Sequence, residues 1–198
     1  MGGSFDPVHS AHVALAETAL QHLALDEVRW IPVGQAWQKA RVLAPAAHRL
    51  AMVEAAVAHE PRFVVDDIEV RRAGPSYTLD TVKALQAQHP DAAQWVLIIG
   101  QDQYANLATW HDWPELLQRV NLAVACRGDQ VVTAPAALQD HPHTVTRLPL
   151  PPMPVSSTDI RARLARGADP ASLAPSLVSP GVARYIAHHQ LYAAGAPR

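Results

Sequence analysis

An α/β fold, built as a doubly wound parallel sheet with helices on its faces, is predicted by three observations. Short apolar runs alternate along the chain with stretches of helical periodicity, the pattern left by crossover connections. Two of the runs, Trp95 to Ile99 and Leu122 to Cys126, are near-continuous, as suits parallel strands covered on both faces. A glycine pair, Gly2-Gly3, stands shortly before a helical segment that begins near Ser10, where such a sheet turns from its first strand into its first helix.

The elements follow in order. Helical periodicity covers Ser10 to Leu23, and the apolar run Val28 to Pro32 reads as a strand. Pro45 to His59 reads as a helix, with Leu50, Val53, Glu54 and Val57 on one partly apolar face. Phe63 to Val65 is a short strand, and Thr78 to Gln88 a helix capped by its own threonine. Trp95 to Ile99, Leu122 to Cys126 and Thr144 to Leu148 complete the strands. Pro149 to Pro154 is a short, rigid, proline-rich loop. It leads to a helix after Ser156, where Ser156 and Asp159 form a capping box, Ile160 and Leu164 supply the apolar face, and Gly167 is the stop. A last helix, Pro180 to His188, is begun by Ser179 and Pro180. With no repeats and no low-complexity linker, residues 1–198 read as one domain.

A glycine-rich turn of this kind works at the carboxyl end of a strand, yet only Met1 precedes Gly2. The first, central strand is therefore expected to be truncated in this sequence, with an apolar segment of about five or six residues expected upstream. Without it, two neighbouring strands face each other with unpaired backbone groups.

Composition bounds the rest. At 198 residues and 49% apolar content the chain can bury a sizeable core. The balance of 16 basic against 18 acidic residues leaves no patch suited to nucleic acid. The single cysteine, Cys126, excludes an internal disulfide and suits a reducing compartment. The sequence has neither a signal peptide nor an 18-residue apolar span, so a cytoplasmic protein without a membrane partner is expected. Composition leaves a homo-oligomer open.

Chemistry concentrates at the start. In Gly2-Gly3-Ser4-Phe5-Asp6-Pro7-Val8-His9-Ser10-Ala11-His12, the glycines let the backbone approach a phosphate closely, and the two histidines, three residues apart, share one helical face. A triphosphate attacked at its α-phosphorus gathers charge on its non-bridging oxygens. Donors fixed in advance at a helix N-terminus, His9 and His12 together with first-turn N–H groups, stabilise that charge. An isolated H-x-x-H is more often a helix cap or an adventitious metal pair. A metallohydrolase would need a third ligand, and no H-E-x-x-H is present; Ser4 lacks the second glycine of a G-x-S-x-G elbow.

The opening run resembles the G-[TS]-F-D-P-x-H-x-G-H signature of the nucleotidyltransferase superfamily, with Ala11 where the family has glycine. Val155-Ser156-Ser157-Thr158-Asp159-Ile160-Arg161 resembles that family's second box, I-S-S-T-x-I-R. Three further segments, in order, resemble the bacterial nicotinate mononucleotide adenylyltransferases: Ser76-Tyr77-Thr78-Leu79-Asp80-Thr81, Ile98-Ile99-Gly100-Gln101-Asp102 and Thr109-Trp110-His111-Asp112-Trp113. The loop Pro32 to Lys39 resembles the family's P-x-x-x-P-x-H-K, with Ala36 and Gln38 replacing the second proline and the histidine.

The resemblance implies a Rossmann-like sheet of nucleotidyltransferase type. It also implies transfer of the adenylyl group of ATP to nicotinate mononucleotide, giving deamido-NAD and pyrophosphate in NAD biosynthesis. His9, His12 and Arg161 are implied as catalytic residues, with the Arg161 guanidinium gripping the leaving pyrophosphate in bidentate fashion. ATP is expected against Gly2, Gly3, Ser4, Phe5, His9, His12, Gly100, Asp102, Ser156, Ser157, Thr158 and Arg161. The acceptor is expected against Lys39, Tyr77, Thr78, Trp110, His111 and Arg127, with Trp110 facing its cationic ring and Lys39 and Arg127 its phosphate. Trp113 reads more readily as core. Mg²⁺ is expected on the triphosphate, held by phosphate oxygens and water rather than by a dedicated protein site. A non-catalytic nucleotide-binding relative, or an adenylyltransferase for another phosphate monoester, remains the alternative.

Overall fold

A computed structural model of the chain describes residues 1–34, 42–127 and 132–194. In chain order the strands are β1 (Gly2–Gly3), β2 (Val28–Pro32), β3 (Phe63–Val65), β4 (Val96–Gly100), β5 (Asn121–Arg127) and β6 (Val145–Leu150). The helices are α1 (Ser10–His22), α2 (Ala46–Val57), α3 (Ile68–Arg71), α4 (Thr78–Gln88), α5 (Gln101–Ala105), α6 (Trp113–Arg119), α7 (Ser157–Ala165) and α8 (Pro180–His188).

All strand pairing among these is parallel, in two three-stranded sheets ordered β1-β2-β3 and β4-β5-β6. Joined at β1 and β4, they would give the doubly wound order 3-2-1-4-5-6. The sequence leads one to expect such a sheet with its first strand cut short, and the structure agrees: the pairing is parallel and the first strand is short. β1 is two residues long and meets β2 only through Gly2 opposite Ile31 and Gly3 opposite Pro32, too short to bridge to β4. The facing edges of β2 and β4 instead line a common cleft. At its edge the Met1 ammonium donates to the Arg29 carbonyl at 2.7 Å.

Helices cover the sheets because their apolar residues recur on one face. The first core gathers Val28 and Trp30 of β2, Ile98 of β4, Ala16, Ala19 and Leu20 of α1, and Val182 and Ile186 of α8. The second packs Leu79, Val82, Leu116 and Leu117 against Leu122, Val124 and Cys126 of β5. No helix among the described residues is long and apolar enough to cross a membrane.

Several local expectations are refined. The buried face of α2 is Arg49, Met52, Val53, Ala56 and Val57, whereas Glu54 is exposed and Leu50 half-buried. Arg49 is 1% exposed because its guanidinium serves three carbonyls: Nε donates to Ala44 at 2.9 Å, Nη1 to Ser4 at 3.0 Å and Nη2 to Gly34 at 3.3 Å. A buried cation is tolerated where such acceptors replace its water. The N-cap of α4 is Tyr77 rather than Thr78, with no side-chain bond. In α7 only half the capping box forms. The Ser156 hydroxyl accepts from the Asp159 N–H at 3.1 Å, while the Asp159 carboxylate turns to Arg163 at 2.9 Å. Gly167 ends this helix at φ +88°, the left-handed turn that glycine adopts without a Cβ clash.

Candidate active site

One cleft of about 1380 Å³ runs along the facing edges of β2 and β4 and past β1. Its lining brings together Gly2, Gly3, Ser4, Phe5, His9 and His12 from the first loop and α1, Gly100 and Asp102 from the end of β4, Tyr77, Thr78, Trp110 and His111 from two intervening loops, and Ser156. Among the residues singled out in the sequence, Ser157, Thr158 and Arg161 lie outside that lining. The side chain of Arg127 and the whole of Lys39 lie outside the described residues.

The first loop is shaped from within. Phe5, at φ +46°, sends a fully buried ring between His12 and Trp30. A Cβ on Gly3 would stand 2.9 Å from that ring, so glycine is needed here to seat Phe5, beyond any approach to a ligand. The phenyl group belongs to the core, and only the main chain of Phe5 is left to serve a bound molecule.

His9 caps α1, and its ring stacks on that of His12 with centroids 3.7 Å apart. The His9 N–H donates to His12 Nδ1 at 3.2 Å. An Nδ1 that accepts leaves the proton of the neutral imidazole on Nε2, so His12 offers one oriented donor. His9 Nδ1 is buried and has no hydrogen-bond partner among the described residues. The first-turn backbone is less available than the sequence suggests: Ser10 N–H already donates to Leu177 O and His12 N–H to His9 O, both at 2.9 Å. The polar reach of this helix start therefore rests chiefly on its imidazoles.

The second box docks directly on the first loop across 150 residues. The Ser157 hydroxyl donates to Pro7 O at 2.9 Å, and Arg161 Nη1 to Asp6 O at 2.6 Å. Arg161 Nη2 donates to the Thr158 hydroxyl at 3.1 Å. On the other side of the cleft the Tyr77 and His111 rings lie 4.5 Å apart, and His111 Nε2 reaches the Asp112 carboxylate at 3.3 Å. Trp110 packs partly against the second core, as does Trp113, whose ring also meets His141 edge-on.

Three residues that shape the site were given no role in the sequence reading. Arg49, described above, fixes the carbonyls of Ser4 and Gly34. Asp6 is fully buried and accepts from Tyr192 Oη at 2.7 Å. Glu69, also buried, accepts from the Thr81 hydroxyl at 2.8 Å, which itself accepts from Arg72 at 2.9 Å. An arginine at an apolar helical spacing, as at Arg49, is the one signal among these that the sequence carries, since a buried charge needs partners.

Burial lowers the pKa of two groups at this end of the cleft. His9 falls to about 4 by desolvation, and His12 falls to about 3 through desolvation and then the neighbouring His9. In the unfolded chain both return to 6.5. Between each pair of values the unfolded state holds the extra proton, so stability falls as pH falls, by about 1.4 kcal/mol per group per pH unit. Glu69, raised by burial, acts in the opposite sense. Urea unfolding should accordingly show a loss of a few kcal/mol between pH 7.5 and 5.5; an unchanged midpoint would mean these groups are not held neutral.

The cytidylyltransferase-like family model matches residues 1–163. A Methylibium petroleiphilum protein named "Probable nicotinate-nucleotide adenylyltransferase" is 54% identical over 192 residues, covering 97% of this chain and 90% of its own length. A Bordetella petrii protein of the same name is 48% identical over 196 residues, covering 97% and 96%. Among solved structures, that of Plasmodium falciparum nicotinic acid mononucleotide adenylyltransferase complexed with NaAD superposes with a TM-score of 0.78 at 19% identity. It covers 96% of this chain and 94% of that one, a likeness of fold.

Proposed function

The chain belongs to the cytidylyltransferase-like family, and within it to the nicotinate-nucleotide adenylyltransferases, and from that premise we propose that it joins the adenylyl group of ATP to nicotinate mononucleotide, releasing pyrophosphate. The product is deamido-NAD, a step of NAD biosynthesis. The observation that carries the reading is the union of two distant boxes: Ser157 and Arg161 bonded to the loop that presents His9 and His12 at one cleft. Residues 1–198 act in this reading as one domain, with the second box and last helices in 155–190.

The chemistry needs no covalent intermediate. A phosphate monoester is already nucleophilic near neutral pH, so the protein's task is to align it with the α-phosphorus and to stabilise charge as pyrophosphate leaves. His12 Nε2–H and His9 serve the non-bridging oxygens of the α-phosphate. The main chain of Gly2, Gly3, Ser4 and Phe5 lies against the nucleotide, with Gly100 and Asp102 beside its adenosine half. Ser156, Ser157 and Thr158 hold the β- and γ-phosphates, and Arg161 neutralises the departing pyrophosphate. Trp110 faces the pyridinium ring, a cation on an aromatic face, while Tyr77, Thr78 and His111 receive the carboxylate. Lys39 and Arg127 screen the acceptor phosphate from the triphosphate. Among the described residues no three His, Cys, Asp or Glu side chains gather to hold a cation. We take Mg²⁺ to enter as part of the MgATP substrate, held by phosphate oxygens and water.

Pyrophosphate release with MgATP and each of the two pyridine mononucleotides tests this. Turnover is expected with the nicotinate form and much less with the amide, which lacks the anion that Tyr77, Thr78 and His111 would receive. Binding of ATP without release of pyrophosphate from either acceptor would favour a non-catalytic relative. Turnover with a different phosphate monoester alone would move the acceptor to another class.

A further inference from the structure

The chain does not end its structural work at α8. Beyond the His189 cap it turns back on itself, with Gln190 at φ +51° and Tyr192 at φ +66°. Two non-glycine residues in the left-handed region within three positions is a costly local conformation, and it persists only where the surroundings over-determine it. The surroundings do so here. Leu191 N–H closes the turn on Ile186 O at 3.1 Å, and Leu191 and Tyr192 pack against the first core. The bend carries the Tyr192 hydroxyl to within 2.7 Å of the Asp6 carboxylate, 186 residues away.

Asp6 is an unusual place to anchor a chain terminus. It is fully buried, and each of its polar faces is tied to a different segment. Its carboxylate accepts from Tyr192 and, at 3.3 Å, from the Ala44 N–H; its carbonyl accepts from Arg161 Nη1 at 2.6 Å. A charge-assisted bond inside a dry core is short, strong and directional. The carboxylate raises the Tyr192 hydroxyl pKa beyond what burial alone does, with Arg161 and Arg49 acting in the opposite direction, so the hydroxyl stays a donor at any working pH.

We propose that Tyr192 is a positioning residue, whose hydroxyl locks the Asp6 carboxylate and thereby fixes both the first loop and the guanidinium of Arg161. The Tyr192 hydroxyl is spent on the Asp6 carboxylate at 2.7 Å, and Tyr192 is not part of the cleft lining. It acts through Asp6, holding the loop that presents His9 and His12 in register with the second box. The inference rests on the adenylyl-transfer reading, because the geometry it protects is the one assigned there.

Tyr192→Phe removes the oxygen and keeps the ring that packs on the core, so the fold should survive, as circular dichroism and a thermal scan would verify. At a temperature well below the melting transition, kcat should fall about tenfold, with the KM for nicotinate mononucleotide within twofold of wild type, since no residue assigned to the acceptor moves. A purely structural role would lower the melting temperature and leave kcat alone. The second variant is Asp6→Ala, which leaves no side-chain acceptor for the Tyr192 hydroxyl. If Tyr192 acts through the carboxylate, adding Tyr192→Phe in that background should cost less than twofold. Unaltered kcat in Tyr192→Phe, or a full tenfold effect that persists with Asp6→Ala, would overturn the proposal. Wild type assayed alongside separates the two readings: a silent wild type removes the adenylyl-transfer assignment and this one with it, whereas an active wild type and an equally active Tyr192→Phe remove this one alone.

Discussion

Replacing His12 with alanine is expected to reduce kcat for pyrophosphate release at least ~100-fold, with little change in the KM for ATP. The split follows from how the ring is held. Its Nδ1 is committed to the His9 N–H at 3.2 Å, so its other nitrogen is a donor of fixed direction, and burial keeps it neutral, with a pKa near 3. A neutral donor gains most from an oxygen whose charge is growing, because in a dry site the interaction strengthens with each increment of charge and costs no reorganisation. The ground-state triphosphate is held by many other groups and should scarcely notice one missing bond. His12→Gln, which restores an N–H on a flexible stem, should recover part of the loss. The Ala variant also removes a ring packed edge-on against Phe5 at 5.2 Å, so a thermal scan must accompany the kinetics. A folded His12→Ala enzyme with wild-type kcat would end the role assigned to this side chain.

The strands and longer helices were legible because their signals are local. Ser10–His22, Val28–Pro32, Phe63–Val65 and Pro180–His188 fall within a residue of where periodicity and caps place them. The four, five and seven residues of α3, α5 and α6 span two turns or fewer, too short for a 3.6-residue period to register. The α2 face was misassigned because Arg49 looks polar in sequence while three carbonyls make it a core residue. The cleft's histidines and its second box carry their spacing within single helices, so they could be read. What joins them could not. Ser157 to Pro7, Arg161 to Asp6 and Tyr192 to Asp6 span 150, 155 and 186 residues, and no periodicity encodes a contact made by the closing of a fold. The split between β2 and β4, by contrast, was legible, since a first strand cut short was expected to leave its two neighbours unpaired.

Arg161 poses the second large expectation, and it separates charge from geometry. Arg161→Ala should lower kcat about 100-fold or more, and Arg161→Lys should recover only a minor part of that loss. Nη1 on the Asp6 carbonyl and Nη2 on the Thr158 hydroxyl orient the plane of the guanidinium, and a planar fork in a fixed orientation can meet two phosphate oxygens at once. Lysine keeps the charge but concentrates it at one rotatable ammonium, which cannot both bond Asp6 and receive a bidentate anion. If the residue acts on the transition state, forward adenylyl transfer and the reverse reaction from deamido-NAD and pyrophosphate must slow by the same factor when each is measured under subsaturating substrates. The overall equilibrium constant, after all, does not depend on the enzyme. Loss of the Asp6 bond should also reduce stability by about 1–3 kcal/mol, which urea unfolding would register and which, being far smaller than the total stability of a folded domain, cannot by itself account for a hundredfold kinetic loss at 25 °C. Wild-type rates in both directions for Arg161→Ala would show that the second box holds the first loop in place and does nothing for the departing pyrophosphate.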